Sequence, residues 1–112
     1  MVDRDDIIAA ATACLMTGLP AGTSGRELSR CLSLYNEIMR LDDVGEREIT
    51  AKLLESRLNW PRSNVDGKLA QLLRMGVVTM RRQKKHDGSV CRFVYRPAMD
   101  IELPGKIPAM AV

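Results

Sequence analysis

The spacing of the apolar residues changes at Gly76, and this change limits the chain to a helical part followed by a small sheet. Before Gly76, apolar side chains recur every three or four residues, as in an α-helix. After it, residues 77–83 and 89–95 alternate and are rich in β-branched and aromatic side chains, as strands are. Asp87 and Gly88 lie between them and signal a hairpin turn. The sequence therefore predicts a mainly α fold with one small β-hairpin (α+β).

Two N-terminal helices are predicted before the turn at residues 42–45. The first covers residues 4–17, where acidic side chains at its start favour a helix N-terminus. The second covers residues 24–41, and Ser24 followed by Glu27 matches a capping box. The second helix carries the strongest apolar stripe in the chain, which we expect to be core: Leu28, Leu32, Tyr35 and Met39.

Residues 46–76 are predicted to form two short helices separated by a turn. Glu46 and Glu48 are expected in the first turn of the first helix, where acidic side chains meet the helix dipole. Pro61 starts the second helix, because proline is excluded from a helix interior but suits its first position. Gly76 ends it, because glycine readily adopts the left-handed conformation that follows many helices.

Length and charge together favour a single domain with one basic half. The 112 residues are expected to form one domain over residues 1–100, followed by a C-terminal tail over 101–112. Residues 1–60 carry seven basic and ten acidic side chains, a net −3, whereas residues 61–112 carry ten and four, a net +6. This asymmetry favours a polyanionic partner for the second half, and a merely solvated basic face is the alternative.

The first apolar stretch, residues 7–16, is not expected to be a signal peptide. Its flank is acidic, whereas a signal peptide needs a basic one. No apolar run approaches the ~20 residues needed to cross a bilayer. We therefore expect a cytoplasmic protein without a membrane partner.

Catalytic and metal-binding motifs are not recognisable in the sequence. The widely spaced cysteines favour buried free thiols over disulfides or a zinc site: Cys14, Cys31 and Cys91. We find no nucleophile–base pair, no phosphate-binding glycine loop and no paired carboxylates in an apolar setting. No enzymatic activity, cofactor, metal or small-molecule ligand is therefore expected.

Apolar, glycine and turn residues over 47–96 have a characteristic spacing: the run 58–65 (LNWPRSNV), Leu69, Leu72, the run 76–78 (GVV), Asp87, Gly88 and Tyr95. This spacing resembles that of the winged helix-turn-helix domain of single-domain bacterial regulators of the MarR and PadR type. The resemblance implies a helix-turn-helix over 46–76, a wing over 77–96 and additional N-terminal helices that pair in a homodimer. The implied partner is double-stranded DNA, and the implied role is transcriptional regulation.

The DNA-contacting residues follow from this resemblance and from groove size. The major groove, about 12 Å wide, admits one helix, so the residues opposite the buried stripe of the second helix should face DNA. These are Arg62, Ser63, Asn64, Gly67, Lys68 and Gln71. The hairpin is expected to contact phosphates or the minor groove through Arg81, Arg82, Lys84, Lys85, His86 and Arg92. Basic residues that merely protect a sheet edge are the alternative for the hairpin.

Two residues of this expected face depart from the family pattern. Asp66 repels phosphate, and Gly67 offers no side chain and destabilises a helix. A second hypothesis is therefore a winged-helix adaptor that binds protein in a phage or multi-subunit assembly. An RNA or single-strand binder is less favoured, because such proteins stack bases on exposed aromatic rings. Three of the four aromatic residues are expected in the core: Tyr35, Trp60 and Phe93.

Overall fold

The computed structural model describes residues 4–19, 22–84 and 91–99, which form four helices and two antiparallel strands. In chain order these are α1 (Arg4–Gly18), α2 (Gly25–Asp43), α3 (Ala51–Leu58), α4 (Arg62–Arg74), β1 (Val78–Lys84) and β2 (Cys91–Pro97). The predicted mainly α fold with a small antiparallel sheet is confirmed for these residues. None of the described helices has the length and apolar character that a bilayer crossing requires.

The two N-terminal helices begin and end within two residues of their predicted limits. The Ser24 hydroxyl accepts a hydrogen bond from the Glu27 N–H at 3.2 Å, so the predicted cap is formed. The Glu27 carboxylate binds Lys68 instead of returning to the cap. Only the Ser24 half of a capping box is therefore seen, and Glu27 links α2 to α4.

The start of α3 differs from the prediction. We expected Glu46 and Glu48 in its first turn, but α3 begins at Ala51, after Thr50. The Thr50 hydroxyl accepts from the Leu53 N–H at 3.2 Å and caps the helix. The preceding Ile49 is fully buried, and its carbonyl accepts from the Tyr95 N–H of β2 at 2.8 Å. This long-range bond keeps the backbone before Thr50 out of the helix.

The turn between α3 and α4 occupies residues 59–61. Asn59 adopts a left-handed backbone conformation, with φ of 56°, and ends α3. Pro61 is extended and is the N-cap of α4, so the helix begins at Arg62, one residue later than predicted. Gly76, with φ of 77°, follows α4 and begins the connection to the hairpin.

α2 lies at the centre of the core and packs against α1, α3, α4 and β2. Its fully buried side chains include Leu34, Tyr35 and Ile38, whereas Leu28 and Leu32 of the predicted stripe are only half-buried. The predicted burial of Cys14 and Cys31 as free thiols is confirmed. The Cys91 side chain lies outside the described residues.

The hairpin has two faces that are fixed by its strand register. Val78 opposes Pro97, Met80 opposes Tyr95, and the pairing continues to Lys84 opposite Cys91. Because opposing residues point to the same side and neighbours alternate, two sets result. The Tyr95 face comprises Val78, Met80, Arg82, Lys84, Phe93, Tyr95 and Pro97. The Val94 face comprises Thr79, Arg81, Gln83, Arg92, Val94 and Arg96.

Candidate nucleic-acid interface

α4 presents a narrow exposed strip on the side opposite its buried stripe of Val65, Leu69 and Leu72. The exposed residues of this strip are Arg62, Ser63, Asp66, Gly67, Ala70 and Arg74. A Cβ added at Gly67 would meet nothing within 4 Å, so packing inside the protein does not require glycine there. The strip therefore has arginines at its ends and small residues in the middle.

Arg62 is held by two carboxylates. Its Nε donates to Oδ1 of Asp66, one helical turn away, at 3.0 Å. Its Nη1 lies 3.9 Å from Oε2 of Glu55 on α3. The Arg62 and Asp66 side chains are 54% and 55% exposed, so solvent reaches the pair. Asp66, which departs from the family pattern, thus has a local partner in Arg62, and the two carboxylates compensate the charge of Arg62.

Two residues predicted on the DNA face lie on a different side of α4. Lys68 is only 9% exposed and forms an ion pair with Glu27 of α2. Gln71 is half-buried, and its Oε1 accepts from the Cys31 thiol at 3.1 Å. The expectation that Lys68 and Gln71 face outward is wrong, because both side chains fill the contact between α2 and α4. Asn64, also predicted there, is half-buried.

The polar contact between α2 and α4 shifts the ionisation of two groups. The hydrogen bond from Lys68 is the main reason that the pKa of Glu27 is lowered, and burial opposes it. Burial is the main reason that the pKa of the Cys31 thiol is raised, while the charge of Lys68 lowers it. At neutral pH the contact therefore holds an ionised Glu27 carboxylate and a neutral Cys31 thiol.

The Val94 face of the hairpin carries arginines that lie beside acidic residues. Arg92 forms an ion pair with Glu48, and Arg96 lies 3.9 Å from Asp42. Next to them is an open groove of about 590 Å³ lined by residues of the α2–α3 connection and of the hairpin: Asp42, Gly45, Glu46, Arg47, Glu48, Arg81, Gln83 and Arg96. The groove is mixed in charge, and Arg81 and Arg92 lie on this side of the sheet.

The Tyr95 face carries the other two described basic residues of the predicted wing site. Arg82 and Lys84 are exposed and form no ion pair with any described residue. The Arg82 guanidinium lies over the Phe93 ring, 5.7 Å from its centroid. The predicted hairpin cations are thus divided between two faces. Arg82 and Lys84 on this face have no ion-pair partner among the described residues, and neither does Arg81 on the Val94 face, which instead lines the groove with Asp42, Glu46 and Glu48.

Exposed apolar side chains accompany those cations. Met80 is 47% exposed and Phe93 is 42% exposed. The expectation that Phe93 is core is wrong, because its side chain is exposed and packs with Arg82 instead. Tyr35 is fully buried as expected, and Trp60 packs against the core while remaining half-buried.

Tyr95 connects this face to the start of α4. Burial raises its pKa, the Asp66 carboxylate raises it further, and the Arg62 guanidinium lowers it. α4 packs against β1, and the charged side chains at the N-terminal end of α4 act on the buried phenol of Tyr95.

Lys85 and His86, which were also predicted to contact DNA, lie outside the described residues. Sequence reasoning missed Ala70 and Arg74 on the exposed strip and both apolar side chains of the hairpin. The spacing of Arg62 and Asp66, four residues apart with opposite charges, is the one signal that could have indicated their ion pair.

Within residues 4–19, 22–84 and 91–99, no three histidine, cysteine or acidic side chains come together as metal ligands would. Comparison with known proteins finds no matching family model, no matching curated protein and no matching solved structure.

Proposed function

We propose that this chain is a double-stranded-DNA-binding protein with a winged helix-turn-helix, acting as a homodimeric transcriptional regulator. In this proposal α4 enters the major groove, α3 supports it from behind, and the hairpin is the wing. The observation that carries the proposal is that α4, with its narrow exposed strip, packs against β1, whose exposed cations Arg82 and Lys84 form no ion pair with any described residue.

The dimensions of the exposed strip suit a groove. The 13 residues of α4 span about 20 Å, which covers several base pairs. Gly67 and Ala70 in the middle of the strip leave its backbone within reach of the base edges, because neither side chain holds the helix away. Arg82 and Lys84 would then contact phosphates beside the groove, as side chains with net positive charge do in most DNA complexes.

The homodimer is proposed through α1. This helix buries one side on α2 but keeps apolar residues on the other, including Ala9 and Met16, the latter 62% exposed. A two-fold dimer would present two copies of α4 to half-sites about 34 Å apart, one helical turn of DNA.

A selection of bound fragments from a random duplex pool tests this function. We expect a palindromic sequence with half-sites one helical turn apart, and loss of its binding in the double variant Arg82→Glu, Lys84→Glu. The matched variant Arg81→Glu, Arg96→Glu makes the same charge change on the Val94 face and should retain binding. Failure of the wild-type protein to bind any duplex at low salt would refute the proposal.

The second candidate is the winged-helix adaptor, which the exposed Met80 and Phe93 favour. Apolar side chains grouped on one exposed face are more typical of a protein interface than of a phosphate-binding wing. The double variant Met80→Ser, Phe93→Ser separates the two functions. An adaptor would lose its protein partner in this variant, whereas a DNA-binding wing that uses Arg82 and Lys84 would keep most of its duplex affinity.

A further inference from the structure

The ion pair between Arg62 and Asp66 has a geometry that is better suited to a base than to a phosphate. Both side chains are about half exposed and lie on the first turns of α4. Asp66 occupies the Nε edge of the guanidinium at 3.0 Å, and Glu55 lies 3.9 Å from Nη1. Two carboxylates near one guanidinium compensate its charge, so Arg62 has little remaining attraction for an anion. Its N–H groups can still donate to neutral acceptors.

We propose that Arg62 and Asp66 together recognise a guanine in the major groove. Arg62 contacts the base, Asp66 is the positioning residue for Arg62, and the pair is called the reading unit below. This inference rests on the proposed function and adds that the DNA sequence bound by the protein contains a guanine contacted by Arg62. Nε is bound to Asp66, whereas Glu55 lies 3.9 Å from Nη1, beyond hydrogen-bond distance. The Nη edge is therefore the part of the guanidinium left to form a bidentate contact. Guanine O6 and N7 are neutral acceptors that match such an edge.

The carboxylate adds selectivity of its own. Oδ1 of Asp66 accepts from Arg62, while Oδ2 makes no hydrogen bond to the described part of the chain. An aspartate oxygen in the major groove can accept from the cytosine amino group, and it repels phosphate oxygens. Asp66 therefore favours a helix placed over the groove floor with G·C pairs beneath it. Packing inside the protein does not require glycine at position 67. The absence of a side chain at Gly67 lets the helix come closer to the base edges.

Asp66→Asn distinguishes the reading unit from a carboxylate that merely repels DNA. The reading unit predicts weaker discrimination in this variant, whereas a repulsive charge predicts stronger binding to every duplex. Binding is measured to a duplex selected by the wild-type protein and to a random duplex of equal length. As a positioning residue, Asp66 is required for discrimination, so Asp66→Asn should lower the ratio of selected to random affinity about tenfold. Arg62→Lys should lower it similarly, since lysine cannot form the bidentate contact. Asp43→Asn makes the same charge change at the C-terminal end of α2, where Asp43 pairs with Arg4, and should leave the ratio unchanged.

Modified bases test the contact from the DNA side. Replacing guanine by 7-deazaguanine in the selected duplex removes the N7 acceptor and should weaken wild-type binding about tenfold at the base that Arg62 reads. Replacing it by inosine removes only the minor-groove amino group and should leave binding nearly unchanged. The Arg62→Lys variant should be insensitive to 7-deazaguanine at that base.

The outcomes separate this inference from the function on which it rests. The inference would be overturned if Asp66→Asn strengthened binding to the selected and the random duplex equally. It would also be overturned if no guanine of the selected sequence could be replaced by 7-deazaguanine with a loss of binding. In those cases the protein would still bind DNA. Absence of any wild-type duplex binding at low salt would overturn the proposed function and the reading unit together. An exposed ion pair one turn apart contributes little to folding, so the variants should remain folded.

Discussion

The two faces of the hairpin predict different salt dependences, and this difference can be measured. In the first variant, Arg82→Ala and Lys84→Ala remove the uncompensated cations of the Tyr95 face. In the second, Arg81→Ala and Arg96→Ala remove two charges from the Val94 face. Both variants lower the net charge by the same amount, so general electrostatic attraction changes equally. Only the first removes the side chains, Arg82 and Lys84, that the proposed function places against phosphate.

The expected size follows from counterion release. Each phosphate neutralised contributes about −0.9 to the slope of log K against log salt, so two per subunit contribute about −1.8. Between about 50 and 200 mM salt this slope corresponds to a loss of about 12-fold in affinity per subunit. For a dimer the slope is about −3.6, equivalent to about 150-fold. The first variant should lack this part of the salt dependence, and the second should retain it.

Fluorescence anisotropy with a labelled duplex over a series of salt concentrations measures both slopes. The wild-type protein and the Val94-face variant should give parallel lines, and the Tyr95-face variant a shallower one. Equal slopes for the two variants would refute the assignment of Arg82 and Lys84 as phosphate contacts. A selectively shallower line for the Val94-face variant would place the phosphate contacts on the opposite side of the sheet.

Three further predictions concern stability. Gly67→Ala should raise the free energy of unfolding in denaturant titrations by about 0.5–1 kcal/mol, because the site is helical and open; a decrease would reveal a hidden constraint. Tyr35→Phe should raise it by about 1 kcal/mol, because the buried hydroxyl has no hydrogen-bond partner in the described residues. Burial raises the Tyr35 pKa to about 12, so stability should fall as the pH rises from 10 toward 12, and the phenylalanine variant should lose less. Lys68→Met should flatten the loss of stability below the ordinary glutamate pKa of 4.5, because the lowered pKa of Glu27 depends on Lys68; an unchanged acid profile would contradict this.

The helical part of the fold could be predicted because its signals are local. Ser24 caps α2 through its hydroxyl, Pro61 precedes α4 and Gly76 follows it, and each effect depends on the side chain or the backbone preference of the residue itself. The start of α3 could not be predicted in this way. It depends on a hydrogen bond between Ile49 and Tyr95, residues that are far apart in the chain.

The candidate interface was predictable only in part. Helical period correctly placed Arg62 and Ser63 on the exposed side of α4, but it also included Lys68 at the margin of that side. Lys68 turns inward because Glu27 of α2 offers a carboxylate there, and periodicity contains no information about that partner. The exposed strip instead extends to Arg74.

The sequence by itself determined the order and type of the elements, because the apolar period and the turn residues act over a few positions. It also determined that Arg81 and Arg82 point to opposite sides of the hairpin, since side chains alternate along a strand. Only the tertiary structure decided what lies beside each face: acidic residues such as Glu48 next to one, and the first turn of α4 next to the other. The number of cations left uncompensated depends on these neighbours, which are brought together by packing.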